Sequence, residues 1–153
     1  MNHNIFGELE YEYEWNGSTS LDWYGDNISV DVVISGEEDE EIDERQCESY
    51  QAFIKNWEKI KEVLLDGILS YYADLRNELG FSDGSNVNYP EITSTSDLKE
   101  KIALDSIVVP LPEIYDGRSV ALAFHCDWDE ENGLGVVLVN EEISEIGYQD
   151  IIF

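Results

Sequence analysis

Histidine and cysteine are scarce in this chain, and their scarcity argues against several common chemistries. His3 and His125 are the two imidazoles, and with His3 placed in a mobile end a zinc site or a Ser-His-Asp triad would depend on a single ring. His125 is followed directly by Cys126, and neighbours on a strand point to opposite faces, so the pair cannot jointly ligate a metal. Cys47 and Cys126 are the two cysteines, read as reduced structural thiols of an intracellular protein. No glycine-rich phosphate loop is present. No apolar run approaches ~18 residues and no charged-then-apolar leader opens the chain, which predicts a cytoplasmic protein. No cofactor is expected.

Basic residues are the other shortage. Eight Lys and Arg stand against 35 Asp and Glu, a net charge of −27. Residues 1–44 hold fourteen acidic and no basic residues, residues 45–101 ten and seven, and residues 102–153 eleven and one. A field of this sign repels nucleic acid and anionic membrane surfaces and speeds encounter with basic partners. The expected partner is therefore a basic protein; plain solubility is the bland alternative.

What the chain does have is a long apolar helical phase. At 153 residues it is one domain, able to bury about two thirds of its unfolded surface. From Cys47 to Leu79, residues Tyr50, Phe53, Ile54, Trp57, Ile60, Leu64, Ile68, Tyr71, Tyr72, Leu75 and Leu79 share one arc, predicting one long amphipathic helix closed by Gly80. Asp66-Gly67 does not break the phase. Lys61 falls inside the arc, so its stem is expected at least half buried, with the ammonium within about 4 Å of a carboxylate.

Strands flank this helix. Ile5 to Trp15 alternates strictly, placing Leu9, Tyr11, Tyr13 and Trp15 inward and Glu8, Glu10, Glu12 and Glu14 in an outer carboxylate row. Asn16-Gly17 predicts a hairpin turn, Leu21 to Tyr24 a returning strand, Gly25-Asp26-Asn27 another turn, and Ile28 to Ile34 a third strand. His3 is placed in a mobile end. Glu37, Glu38, Asp39, Glu40, Glu41, Asp43 and Glu44 form a charge run broken only by Ile42, read as a solvated loop or first helical turn, or as a docking patch for a basic surface. Phe81 to Thr95 is a long connection and a candidate functional loop. A short helix follows from about Asp97 to Ala103, capped by Thr95 or Ser96, with Leu98 and Ile102 inward. Pro110 and Pro112 limit Ile107 to Tyr115 to an edge or irregular strand. Ser119 to Cys126, Gly135 to Asn140 and Glu142 to Ile146 then make an antiparallel meander, before an apolar tail at Ile151, Ile152 and Phe153. The fold class is α+β: an antiparallel sheet, three N-terminal strands plus the meander, covered on one face by the long helix and the short second one.

The densest constellation is Asp127-Trp128-Asp129-Glu130-Glu131-Asn132-Gly133, between two strands. Phe124 to Val137, with its W-D-x-E-N-G-L-G core, resembles the C-terminal motif of a family of small uncharacterised bacterial α/β domains in which His often stands at the position of Asn132. Ile5-Phe6-Gly7 and Gly147-Tyr148-Gln149-Asp150-Ile151 resemble that family more loosely. Some of its acidic members look like immunity partners of secreted toxins, and the resemblance brings no catalytic residues. Chemically, Asp127, Asp129 and Glu131 are candidate Ca²⁺ ligands, although Asn132 and Leu138 stand where an EF-hand needs Gly and Glu.

Three functional expectations follow. The first is a non-enzymatic immunity or inhibitor protein that masks a basic toxin or nuclease surface through Glu37 to Glu44, the Glu8 to Glu14 row or the Asp127 loop. The second is a divalent-cation domain using that loop. The third is an enzyme with a carboxylate-lined pocket; the surplus of acids makes any chosen acid pair uninformative.

Overall fold

The computed structural model describes residues 1–81 and 88–152. Part of the long connection, residues 82–87, and the last apolar residue, Phe153, lie outside the described residues.

The chain opens with a small antiparallel pair, β1 (Asn2–His3) and β2 (Gly7–Glu8). His3 is half-buried in it, and its Nδ1 accepts from the amides of Ile5 and Phe6 at 3.0 and 3.4 Å, so the expected mobile end is in fact folded. The hairpin β3 (Glu10–Glu12) and β4 (Glu14–Trp23) turns at Tyr13 (φ 65°), not at Asn16-Gly17, which sit inside β4. Gly17 serves space instead: a Cβ there would lie 2.8 Å from Leu9 Cδ2 and 3.1 Å from the Glu8 carbonyl. β4 then pairs with β5 (Asp26–Ile34) through a two-residue turn at Tyr24-Gly25, both at positive φ, the backbone twist that suits a tight hairpin.

The helical stretch is two helices and not one. α1 (Glu44–Lys55) and α2 (Trp57–Glu78) are separated at Asn56, whose Nδ2 and backbone N–H both donate to the Ala52 carbonyl. The side chain thus shares a carbonyl with the helix's own bond, and α1 ends and α2 begins at this residue. Phe53 and Trp57 keep four-residue spacing across the break, and the buried stripe continues through Ile60, Leu64, Ile68, Tyr72 and Leu75. Ile54 and Leu79, placed in the same arc, are 39% and 41% exposed, at the edge of the break and at the helix end. α2 runs straight through Gly67.

α3 (Thr95–Lys99) is shorter than expected and is capped by Ser94, whose side chain accepts from the Asp97 amide. Leu98 is fully buried, but Ile102 belongs to the next strand, β6 (Ile102–Val109). Pro110 and Pro112 follow that strand and do not confine it to an edge: β6 lies between β5 and β7 (Ser119–Cys126). β8 (Leu134–Val139) and β9 (Glu142–Gly147) complete the meander. The seven-stranded sheet has the order β3-β4-β5-β6-β7-β8-β9, and β5 pairs parallel to β6, Ile34 facing Val109. It is therefore mixed, because the chain crosses over through three helices before β6.

One face carries the main core: Val30, Val32, Ile34, Ile107, Val120, Leu122, Phe124 and Val136 pack under α1 and α2. The other face is also partly covered, since Val108, Ala121 and Val137 pack against Tyr115, Ile151 and Ile152. No helix among the described residues is long and apolar enough to cross a membrane.

Candidate functional site

Two acidic places emerge from this architecture. The first lies between the N-terminal segment and the run that leads into α1. Both ends of the run are anchored. At its start, Tyr11 Oη donates to the Gly36 carbonyl at 2.9 Å. At its end, Asp43 caps α1: its carboxylate accepts from the Arg45 amide at 2.8 Å, and Gln46 Oε1 accepts from the Asp43 amide at 3.2 Å. The buried Gln46 amide also donates to the carbonyls of Ser35 (2.8 Å), Val109 (3.3 Å) and Pro110 (3.1 Å), clamping the run to the sheet.

This divides the acids of the run by role. Asp43 is spent on the cap and on Arg45, whose hydrogen bonds hold its carboxyl below the usual carboxylate range. Arg45 also reaches Glu113 at 3.1 Å. Glu44 is the exposed first residue of α1, and Glu37 is exposed at the start of the run. Glu38, Asp39, Glu40 and Glu41 are exposed, make no ion pair among the described residues, and with Ile42, Trp15, His3 and Met1 line a cleft of about 490 Å³.

The carboxylate row is not one row. Glu8 lies on β2 beside the Met1 ammonium (3.4 Å), Glu10 and Glu12 on β3, and Glu14 on β4 opposite Glu12. Glu14 is half-buried and accepts from Ser35 Oγ at 3.4 Å.

The second place is the β7–β8 loop. Its Asp129 is occupied internally, accepting from the Asn132 amide at 3.1 Å and from Asn132 Nδ2 at 2.9 Å. Gly133 adopts φ +64°, which permits the close approach of Gln149: a Cβ at 133 would lie 2.5 Å from Gln149 Nε2. Gln149 in turn donates from its amide to the Asn132 carbonyl (3.0 Å) and from Nε2 to the Phe124 carbonyl (2.8 Å). The motif thus fastens the terminal 3₁₀ turn, Gln149–Ile151, to the sheet. Trp128 is buried and packs on Tyr72 of α2, ring centroids 4.4 Å apart, and not over the sheet alone. Burial pushes the Tyr72 hydroxyl up to about 12. Asp127, Glu130 and Glu131 remain exposed beside a cleft of about 450 Å³ that Tyr72, Ile92 and Lys101 also line. Among the described residues, no three Asp, Glu, His or Cys side chains converge as a metal site, so Asp127, Asp129 and Glu131 are not brought together as one.

Lys61 is 6% exposed, with its ammonium on Asp22 and, at 3.0 Å, on Glu58. Burial acts downward on its pKa, but the hydrogen bonds to these two carboxylates outweigh it and hold the lysine above its ordinary value. The Tyr24 and Trp57 rings flank it at 5.7 and 6.0 Å. These contacts tie α2 to the β4–β5 turn. Sequence patterning assigned Trp15 to the core and Ile42 to an interruption; that both line one acidic cleft was legible only if the run was known to fold back over β4. No such signal exists in local spacing.

A mixed seven-stranded sheet with helices on one face, and carboxylates left unpaired at its margins, defines an acidic α+β domain. The chain belongs to the family described as Domain of unknown function (DUF6985), whose model matches residues 5–153. No curated protein and no solved structure matches it.

Proposed function

We propose that this protein is a non-enzymatic binding protein that masks a basic surface on another protein, as an immunity protein or inhibitor does. The observation that carries this reading is the division of labour among its charges. Three cations are committed internally: the buried Lys61 to Asp22 and Glu58, the buried Arg76 to the carbonyls of Tyr89 and Phe81, and the exposed Arg118 to Glu141. Glu38 to Glu41 have no such partner among the described residues and stand on a backbone pinned at both ends. Rim carboxylates of this kind contribute mainly to association rate and to choice of partner. The W-D-x-E-N-G-L-G segment resembles a family of small bacterial domains, some of whose acidic members look like immunity proteins, and that resemblance supports the same reading.

The test is affinity isolation from the native host at low salt, followed by co-expression with any basic protein recovered. A stoichiometric basic partner whose association slows at least tenfold between about 50 and 500 mM salt is expected. If the partner is toxic, co-expression should restore growth. Recovery of no basic protein at low salt would overturn the proposal.

A further inference from the structure

We infer that the cleft between the N-terminal segment and residues 38–42 is a receptor for one arginine side chain of an extended basic segment, with Trp15 at its base. The inference rests on the proposed masking of a basic protein and assigns that contact to a place. Three observations carry it. Glu38, Asp39, Glu40 and Glu41 line the cleft with no ion pair among the described residues, so its wall is anionic; the ammonium of Met1, another lining residue, is held by Glu8 and the Leu9 carbonyl. Its volume, about 490 Å³, falls in the range of built ligand pockets.

The third observation is independent of the carboxylates. Trp15 lines the cleft and is only 8% exposed, and among the described residues its indole N–H is the one buried side-chain donor without an acceptor. Buried donors are almost always paired. This one lies beside Gly36, at the root of the acidic run: a Cβ at Gly36 would stand 4.0 Å from Trp15 Nε1. The Tyr11 ring fixes the indole edge-on, centroids 5.0 Å apart. The chain itself supplies no acceptor for this N–H among the described residues, and the main-chain carbonyl of a bound peptide would supply one.

Arginine fits better than lysine. Its planar guanidinium stacks on an indole and engages carboxylates through paired N–H groups, whereas an ammonium is a point charge with no face to stack. The apolar Ile42 side chain gives the methylene stem a surface to lie on.

The experiment titrates ¹⁵N-labelled protein with N-acetyl-arginine methylamide, its neutral citrulline counterpart, and CaCl₂, following the indole N–H signals. Trp15→Phe assigns the Trp15 signal. With the arginine compound that signal should move downfield and saturate. In the variant Glu38→Gln/Asp39→Asn/Glu40→Gln/Glu41→Gln the apparent affinity should fall at least tenfold, with the other indole signals unmoved. An unmoved Trp15 signal, an equal response to citrulline, or an equal response to Ca²⁺ would each overturn the inference. Should Trp15→Phe fail to fold, the fourfold variant still decides, because its changes are all on exposed residues. A basic partner bound equally well by that variant would remove the cleft and leave the masking role standing. Arginine binding in the cleft with no basic partner in the host would do the reverse.

Discussion

Gly67 offers the sharpest quantitative test of how the helices meet the sheet. It sits inside α2, where alanine is favoured over glycine by about 1 kcal/mol. A Cβ at this position would stand 2.8 Å from Ile143 Cδ1 and 3.6 Å from Ile146 Cδ1, both on β9. Two effects of opposite sign therefore compete. Overpacking costs about 1–3 kcal/mol, at the low end here, since the obstruction is the free end of a half-buried side chain. Gly67→Ala alone should thus destabilise by no more than about 1 kcal/mol. Ile143→Val removes the obstructing methyl at a cost of about 0.5–1.5 kcal/mol. In that background Gly67→Ala should stabilise by about 1 kcal/mol, a coupling that a double-mutant cycle measures directly. Urea unfolding followed by circular dichroism would read the gain as a midpoint shift of about 0.5 M, or about 2–4 °C in Tm. If Gly67→Ala were equally destabilising in both backgrounds, the glycine would be required for its backbone and not for space, and the account of the α2–β9 contact would fail.

Gly133→Ala combines a left-handed backbone with displacement of Gln149; a loss of about 2 kcal/mol or more is expected in denaturation, with faster hydrogen exchange at the Gln149 amide. Asp22 has its carboxyl held low chiefly by the Lys61 hydrogen bond, so its stabilisation is complete above the unfolded carboxyl value of about 3.9 and is lost as pH falls through the lower folded one. Lys61 is held high, so its share is present below its unfolded value of about 10.4 and is lost as pH rises past the folded one. Lys61→Met should therefore lower Tm between about pH 5 and 9, with the gap narrowing in acid and in strong base; a gap constant with pH would refute the pairing. Burial raises the Cys126 thiol to about 11, so a thiol reagent at pH 8 should label Cys126 only on unfolding, which a Cys47→Ser variant isolates.

The meander β7 to β9 was readable because Val120, Leu122 and Phe124 alternate against a different face and Gly147 ends the run. The N-terminal hairpin was not, for a geometric reason. Its partners, Glu10 with Asn16, Tyr11 with Trp15 and Glu12 with Glu14, all share parity. An alternating pattern therefore passes through the reversal at Tyr13 unchanged, and periodicity cannot see the turn. The helix break escaped in the same way, because Phe53 and Trp57 keep phase across Asn56. The parallel β5–β6 pairing was invisible for another reason: alternation reports which face is buried, and never which way a strand runs. Of the candidate site, the acidic residues were plain in the sequence. What selects Glu38 to Glu41 from the rest is tertiary: the Asp43 cap, the Gln46 clamp and the neighbourhood of Trp15.

The β5–β6 seam also sets an order of events during synthesis. The β4–β5 hairpin closes through a two-residue turn and can form early, whereas β6 emerges only after all three helices, and non-local pairings of this kind form slowly. At about 5–20 residues per second, the edge of β5 with Val30, Val32 and Ile34 waits several seconds on the ribosome for its neighbour. An open apolar edge is a template for aggregation. The first 44 residues, which emerge with that edge, carry fourteen negative charges and no positive one, so nascent copies on one messenger repel each other through the interval in which they are most adhesive.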